Sequence, residues 1–238
     1  MEQTLIDRTK VRVSDISAWS IASVSNCALS EVYLMDCIAG MKHYPDKFFD
    51  LAVVDPPYGI GRDGQTETFT KNPKHKRKHF EAKGWDTSIP EMEYFTELYR
   101  VSKNQIIWGA NYFTQFIPAS MGWIYWDKGQ SLSMSDGELA FSSYEQAQRR
   151  VVINRGQLMV EGGTIHPTQK PIKLYDFCFQ FAGLEKGQRV LDTHLGSGSS
   201  RIAANKAGLD FVGFEIDEDY FNASEERFKK FVSQTRLF

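Results

Sequence analysis

Phe48-Phe49-Asp50-Leu51-Ala52-Val53-Val54 runs straight into Asp55-Pro56-Pro57-Tyr58. The first seven residues are apolar except for Asp50. A short apolar run closed by proline fits a strand buried in a parallel sheet better than a helix. Each proline fixes φ near about −65° and lacks an N–H, and the residue before each is pushed out of the α region. The turn is therefore stiff. It stands at the carboxyl end of its strand, where open α/β sheets place their ligands. Asp55 contributes a carboxylate, Pro56 a carbonyl with no local donor, and Tyr58 a flat ring. Two acceptors and a stacking face suit a planar group bearing an NH2, such as the exocyclic amine of a nucleobase. The lone pair of that amine is delocalised into the ring. Accepting hydrogen bonds from both N–H bonds favours localising it and positions the nitrogen for attack. A plain turn after a strand is the alternative reading.

Upstream, Glu31 to Asp36 reads as a strand ending in an acid, and Cys37 to Tyr44 as a short helix. Strand, helix and the strand into Asp55 make a βαβ unit. Asp36 is placed as the helix N-cap. Val11-Arg12-Val13 reads as a short strand and the Ser-rich run after it as an arm, with no role assigned.

Downstream, the glycines from Gly59 to Gly64 give a flexible connection. Lys71, Lys74, Lys76, Arg77 and Lys78 then form the most basic stretch of the chain. Such a run is ordinarily a solvated loop. Its place beyond the Asp55 turn makes residues 62–89 a candidate mobile loop that orders on phosphates. A helix from Pro90 and strands at Gln105–Trp108 and Trp123–Trp126 follow. Residues 129–163 read as an excursion from the sheet, carrying Arg149, Arg150 and Arg155, which suit guanine edges or phosphates. His166-Pro167-Thr168-Gln169-Lys170-Pro171 opens a helix running to about Leu184. Arg189–Asp192 is a strand leading into a Gly-rich turn, Thr193 to Ser200. Glu215 ends the next strand, where an acid accepts from ribose hydroxyls. The dinucleotide-binding enzymes share that logic, but the turn lacks their full G-x-G-x-x-G.

With 238 residues and 42% hydrophobic content, the chain can bury a sizeable core as a single domain. The net charge of −2 lacks the strongly basic footprint of many nucleic-acid binders. Three widely spaced cysteines form neither a zinc motif nor a disulfide framework, and no metal site is expected. No apolar run is long enough for a membrane span and no signal core opens the chain.

Asp-Pro-Pro-Tyr, His-Pro-Thr-Gln-Lys-Pro and the later Gly-rich strand, in that order, resemble the circularly permuted β-class of DNA amino-methyltransferases, which use S-adenosylmethionine. The resemblance covers roughly residues 31–60 and 164–228. It implies an α/β, Rossmann-like methyltransferase fold in permuted order, with a mostly parallel sheet and helices on both faces. It implies a catalytic set of Asp55, Pro56, Pro57 and Tyr58 that holds a flipped base. It implies that Asp36 and Cys37 lie near the cofactor adenine and that Glu215 holds its ribose. Asp192, His194, Gly196, Ser197 and Gly198 would cradle the cofactor, with Asp55 beside it. His166, Thr168 and Lys170 would approach its carboxylate. One departure stands out: the family has Pro-Phe or a similar pair where this chain has Thr193-His194. The target-recognition region of the family falls at residues 129–163, which are short and imply a short target or a dimer.

The implied activity is methylation of adenine N6 in double-stranded DNA, because Asp opens the motif. Cytosine N4 is the alternative. RNA or protein-glutamine methylation and an inactive DNA-binding relic are weaker alternatives. A partner restriction nuclease and a cytoplasmic, prokaryotic or phage setting go with the resemblance.

Overall fold

The computed structural model describes residues 28–64, 79–129 and 135–235. The expectations for Val11–Val13 and for Lys71, Lys74, Lys76, Arg77 and Lys78 lie outside the described residues. Among the described residues, one eight-stranded sheet is built from β1 (Ser30–Leu34), β2 (Phe49–Val54), β3 (Ser102–Trp108), β4 (Trp123–Asp127), β5 (Gly137–Ser142), β6 (Arg149–Val152), β7 (Arg189–Asp192) and β8 (Asp210–Glu215). The strand order is β1-β8-β7-β2-β3-β5-β4-β6. All pairings are parallel except β3 with β5 and β4 with β5. Seven strands therefore run one way and β5 runs against them.

This corrects the reading of 129–163 as an excursion from the sheet. Both apolar runs in that segment are sheet strands, and β5 sits between β3 and β4. Ala140 and Phe141 of β5 are fully buried, so the hydrophobic pattern pulls the strand inside rather than onto a separate lobe.

The alternation of side chains along β2 fixes the two faces. Ala52 and Val54 join a core with α1 (Cys37–Met41) and α2 (Met92–Val101), where Met41, Tyr94, Phe95 and Leu98 are buried. Leu51 and Val53 join the opposite core with α4 (Ile172–Phe181) and α5 (Ser199–Ala207), where Leu174, Cys178, Ala203 and Ala204 are buried. Burying one Phe or Leu of this kind contributes about 2 kcal/mol. The remaining helices are α3 (Gln157–Val160) and α6 (Glu218–Thr235). The helix after β2 covers one face and the helix after β7 covers the other. The adjacent carboxyl ends of β2 and β7 thus open a crevice at a topological switch point. Among the described residues, no helix is long and apolar enough to cross a membrane.

Candidate active site

The crevice is a cleft of ≈ 380 Å³, within the range of small-molecule sites. Four parallel strands supply its floor. Met35, Asp36 and Cys37 follow β1, Asp55 and Pro57 follow β2, Thr193 to Ser197 follow β7, and Glu215 to Asp217 close β8. His166, Thr168, Gln169 and Lys170 form another wall. Most of the sequence-predicted cofactor residues are thus brought together. Asp192 and Gly198 stand just behind this lining. The buried Asp192 accepts from His194 N at 3.0 Å and from Ser200 Oγ at 2.5 Å, and so fixes the Gly-rich turn. Gly198 begins α5 in the left-handed region, φ 69°, which a side chain disfavours.

Each acid has a backbone reason for its place. Asp36 caps α1, accepting from Ala39 N at 2.9 Å. Glu215 accepts from Gly196 N at 2.8 Å and from Ile216 N and Asp217 N at 2.9 Å, so strand end and turn are locked together. Burial raises the Glu215 carboxyl above its usual range. Burial also raises Asp192, to about 7, opposed by its bonds to Ser200 and His194. Burial and the neighbouring Asp36 push the Cys37 thiol up to about 12, so it stays protonated and lines the cleft as a small apolar group.

The Asp55 turn is assembled by residues that no motif marks. Asp86, almost wholly buried, accepts from Tyr58 N at 2.7 Å, Gly59 N at 2.8 Å and Arg62 N at 2.7 Å. Its own carbonyl accepts from Gly61 N. Asp63, also buried, accepts from Gly84 N. At the two ends of the 62–89 segment, Arg62 is thus hydrogen-bonded to Asp86 and Gly84 to Asp63. In sequence Asp86 looks like any turn acid, and a partner some 25 residues away leaves no local signal.

The Tyr58 ring stacks on Tyr112, with centroids 5.1 Å apart and planes 14° apart. Gly109 makes room for it. A Cβ there would fall 2.0 Å from Tyr58 Cε1, and the residue sits at φ 68°. Burial and Asp55 hold the Tyr58 phenol well above its ordinary value. It therefore remains protonated and donates a hydrogen bond to Asp55 Oδ1 at 2.5 Å. Lys170 Nζ donates to Asp55 Oδ2 at 2.5 Å and lies 3.0 Å from Glu138 Oε2. Lys170, expected near a cofactor carboxylate, lines the cleft. Its ammonium, 3% exposed, is held between two acids.

The outer wall is aromatic. Trp85 stacks on His166 at 5.3 Å, and His166 packs edge-on to Tyr220 at 4.3 Å. Lys83 lies over the Tyr220 ring and pairs with Asp217 at 2.7 Å and Asp219 at 2.6 Å. Arg149 and Arg150 lie on β6 at the sheet edge, outside the cleft lining. Arg150 pairs with Asp127 at 2.6 Å. Arg155 follows that strand, also outside the lining. Among the described residues, no group of three or more His, Cys, Asp or Glu is arranged to hold a metal ion.

Residues 123–226 match the family model described as DNA methylase, the N6/N4 methyltransferases. Over that segment the chain is similar to the N6/N4 DNA methylases. The match begins at β4, so it includes the segment 129–163 and leaves the Asp55 turn outside. The putative methylase YubD of Escherichia coli (strain K12) is 27% identical over 212 residues, 81% of this chain and 87% of that protein. PvuII DNA methyltransferase, named as cytosine-N4-specific, shares the fold with a TM-score of 0.56 at 14% identity, covering 87% of this chain and 92% of its own. M1.HpyAVI, solved as a complex with S-adenosylmethionine, has a TM-score of 0.54 at 17% identity, covering 83% and 98%. The described residues thus share the fold of these two methyltransferases.

Where that family carries an apolar ring after the strand-end acid, His194 is pressed edge-on against Tyr94 at 5.4 Å. Burial lowers its pKa from 6.5 to about 4. The folded protein therefore resists a proton that the unfolded chain accepts below pH 6.5. Stability from the neutral ring is complete above pH 6.5 and is lost as pH falls through about 4. His194→Phe is expected to be more acid-stable than the wild type by about 3 kcal/mol near pH 4, and little changed at pH 7.5. Melting curves from pH 7.5 to 4 check this. Parallel losses in both proteins would reject it.

Proposed function

We propose that this chain methylates the N6 amine of an adenine flipped out of double-stranded DNA, using S-adenosylmethionine. One observation carries the reading: the Asp55 carboxylate, with Tyr58 stacked beside it, stands in the wall of the cleft built by the ends of β1, β7 and β8. The residues suit the cofactor. Glu215 and Asp36 each use part of a carboxylate on backbone N–H groups and keep lone pairs for ribose and adenine donors. Trp85, His166 and Tyr220 offer an apolar wall. When bound, S-adenosylmethionine supplies a methyl group activated by its sulfonium.

The protein's own part is positioning and charge placement. Extruding a base costs a few kcal/mol. Stacking on an aromatic ring returns about 1–3 kcal/mol, and the stacked pair of Tyr58 and Tyr112 pre-orders that platform. Asp55 and the Pro56 carbonyl accept from the two amine N–H bonds, so the lone pair localises on nitrogen. Methyl transfer to that nitrogen would place positive charge on it. A fixed carboxylate at Asp55 stabilises it without reorganisation. The surplus amine proton leaves along the hydrogen bond to Asp55. Asp at the head of the motif favours adenine over cytosine. Arg149, Arg150 and Arg155 on and beyond β6 are candidates for the DNA contact outside the cleft.

Mass spectrometry of nucleosides from unmethylated duplex DNA, incubated with protein and S-adenosylmethionine, tests this reading. N6-methyladenine is expected. N4-methylcytosine would overturn the base assignment and keep the mechanism. No methylated base on several DNAs, with cofactor binding intact, would reject DNA as substrate.

A further inference from the structure

We infer that Glu138 is a positioning residue for the catalytic Asp55, acting through Lys170. The inference deepens the proposed methyl transfer and rests on it.

Glu138 belongs to no motif and lies outside the cleft lining. It arrives because β5 runs against its neighbours. The second residue of a reversed strand comes to the edge where β2, β3 and β4 end. Its register partner is Trp126, the penultimate residue of β4. There Glu138 Oε2 lies 3.0 Å from Lys170 Nζ and Oε1 lies 2.8 Å from Lys128 Nζ. Lys170 in turn meets Asp55 Oδ2 at 2.5 Å and Tyr58 OH at 3.2 Å. Two acids and two ammonium groups alternate in a row, and the row is neutral.

The arrangement has a physical logic. Lys170 is nearly fully buried, and a lone ammonium there would be very costly. It would also lean its whole charge on Asp55, opposing the positive charge that grows on the target amine. Glu138 takes half of that ammonium. Asp55 is then oriented by Lys170 and Tyr58 yet keeps carboxylate character towards the cleft. Lys128, paired on the far side and lying over the Trp126 ring at 5.3 Å, holds Glu138 in place. The groups facing Asp55 are Lys170, Glu138, Tyr58 and, further off, Tyr94, Tyr175 and Asp192. Burial raises Asp55 above the usual carboxyl range, Lys170 opposes that, and Glu138 adds to it.

Three readouts test the inference. In single-turnover methylation, Glu138→Gln is expected to slow transfer about tenfold or more while the S-adenosylmethionine Kd stays within about twofold. The acid limb of its pH–rate profile should move to lower pH, because a negative neighbour of Asp55 is gone. Since Glu138→Gln leaves two lysines short of a partner, the double variant Glu138→Gln/Lys128→Met restores charge balance. It should regain melting temperature but not rate. The third readout needs no activity: a melting cycle of Glu138→Gln, Asp55→Asn and both together. Lys170 keeps one acid in each single variant and none in the double, so the double loss should exceed the sum. Additive losses, recovery of the rate in the charge-balanced variant, or an unmoved acid limb would each overturn the inference. A wild type that methylates no DNA would reject the proposed function, while the melting cycle would still decide whether Glu138 reaches Asp55 through Lys170.

Discussion

Asp55→Ala is expected to lower methyl transfer about 10³-fold or more, with cofactor binding and the fold retained. The size of the effect follows from what the carboxylate does. It is the only charged acceptor in the Asp-Pro-Pro-Tyr turn, and it is fixed from two sides by Tyr58 OH and Lys170 Nζ, each at 2.5 Å. An acceptor so held needs no reorganisation when charge develops on the amine, which is where most of an enzyme's electrostatic advantage arises. The fold should survive because Lys170 keeps Glu138 at 3.0 Å when Asp55 is gone. Nucleoside mass spectrometry gives the rate, and calorimetric titration with S-adenosylmethionine gives the affinity. A variant that methylates within tenfold of wild type would remove Asp55 from the chemistry.

Asp86→Ala should cost both stability and activity. Three backbone N–H groups, those of Tyr58, Gly59 and Arg62, lose their shared acceptor at once. Hydrogen bonds to a charged group contribute about 1.5–3 kcal/mol each, and an orphaned buried donor carries its desolvation cost. The three are coupled, so a total of about 3–5 kcal/mol is expected rather than their sum. For a chain of this size that is a fall of roughly 10 °C in melting temperature. The rate should fall at least about tenfold beyond the unfolded fraction, because Tyr58 loses the anchor that presents its ring. Asp86→Asn should lie between, since its amide keeps one acceptor oxygen. Unchanged melting and rate in the alanine variant would show that solvent or neighbours satisfy the turn.

Much of this architecture could be read locally. The apolar run into Asp55, the acid-ended strands at Asp36, Asp192 and Glu215, and the His166–Pro171 segment each carry their signal within a few residues. Each is brought to one edge because parallel strands all end there. Asp86 and Lys170 were legible only in part. The first looks like an ordinary turn acid. The second sits in a recognisable segment, but its partners Asp55 and Glu138 are chosen by packing. The segment 129–163 reads as an excursion although its runs at 138–141 and 151–153 are β-like, because which sheet a short strand joins is set by tertiary pairing rather than by its own pattern.

By itself, then, the sequence determined the parallel α/β framework, the stiff Asp-Pro-Pro-Tyr turn at a strand end and the strand-end acids that reach the cleft, but not its outer wall of Lys83, Trp85 and Tyr220. These follow from local sterics and hydrophobic period, which are properties of neighbours in the chain. The tertiary structure alone decided that β5 enters the sheet in reverse, that Glu138 thereby reaches Lys170, and that Asp86 clamps the catalytic turn from some 25 residues away. Those contacts depend on strand direction and on which buried charges find each other, and no local stretch of sequence encodes either.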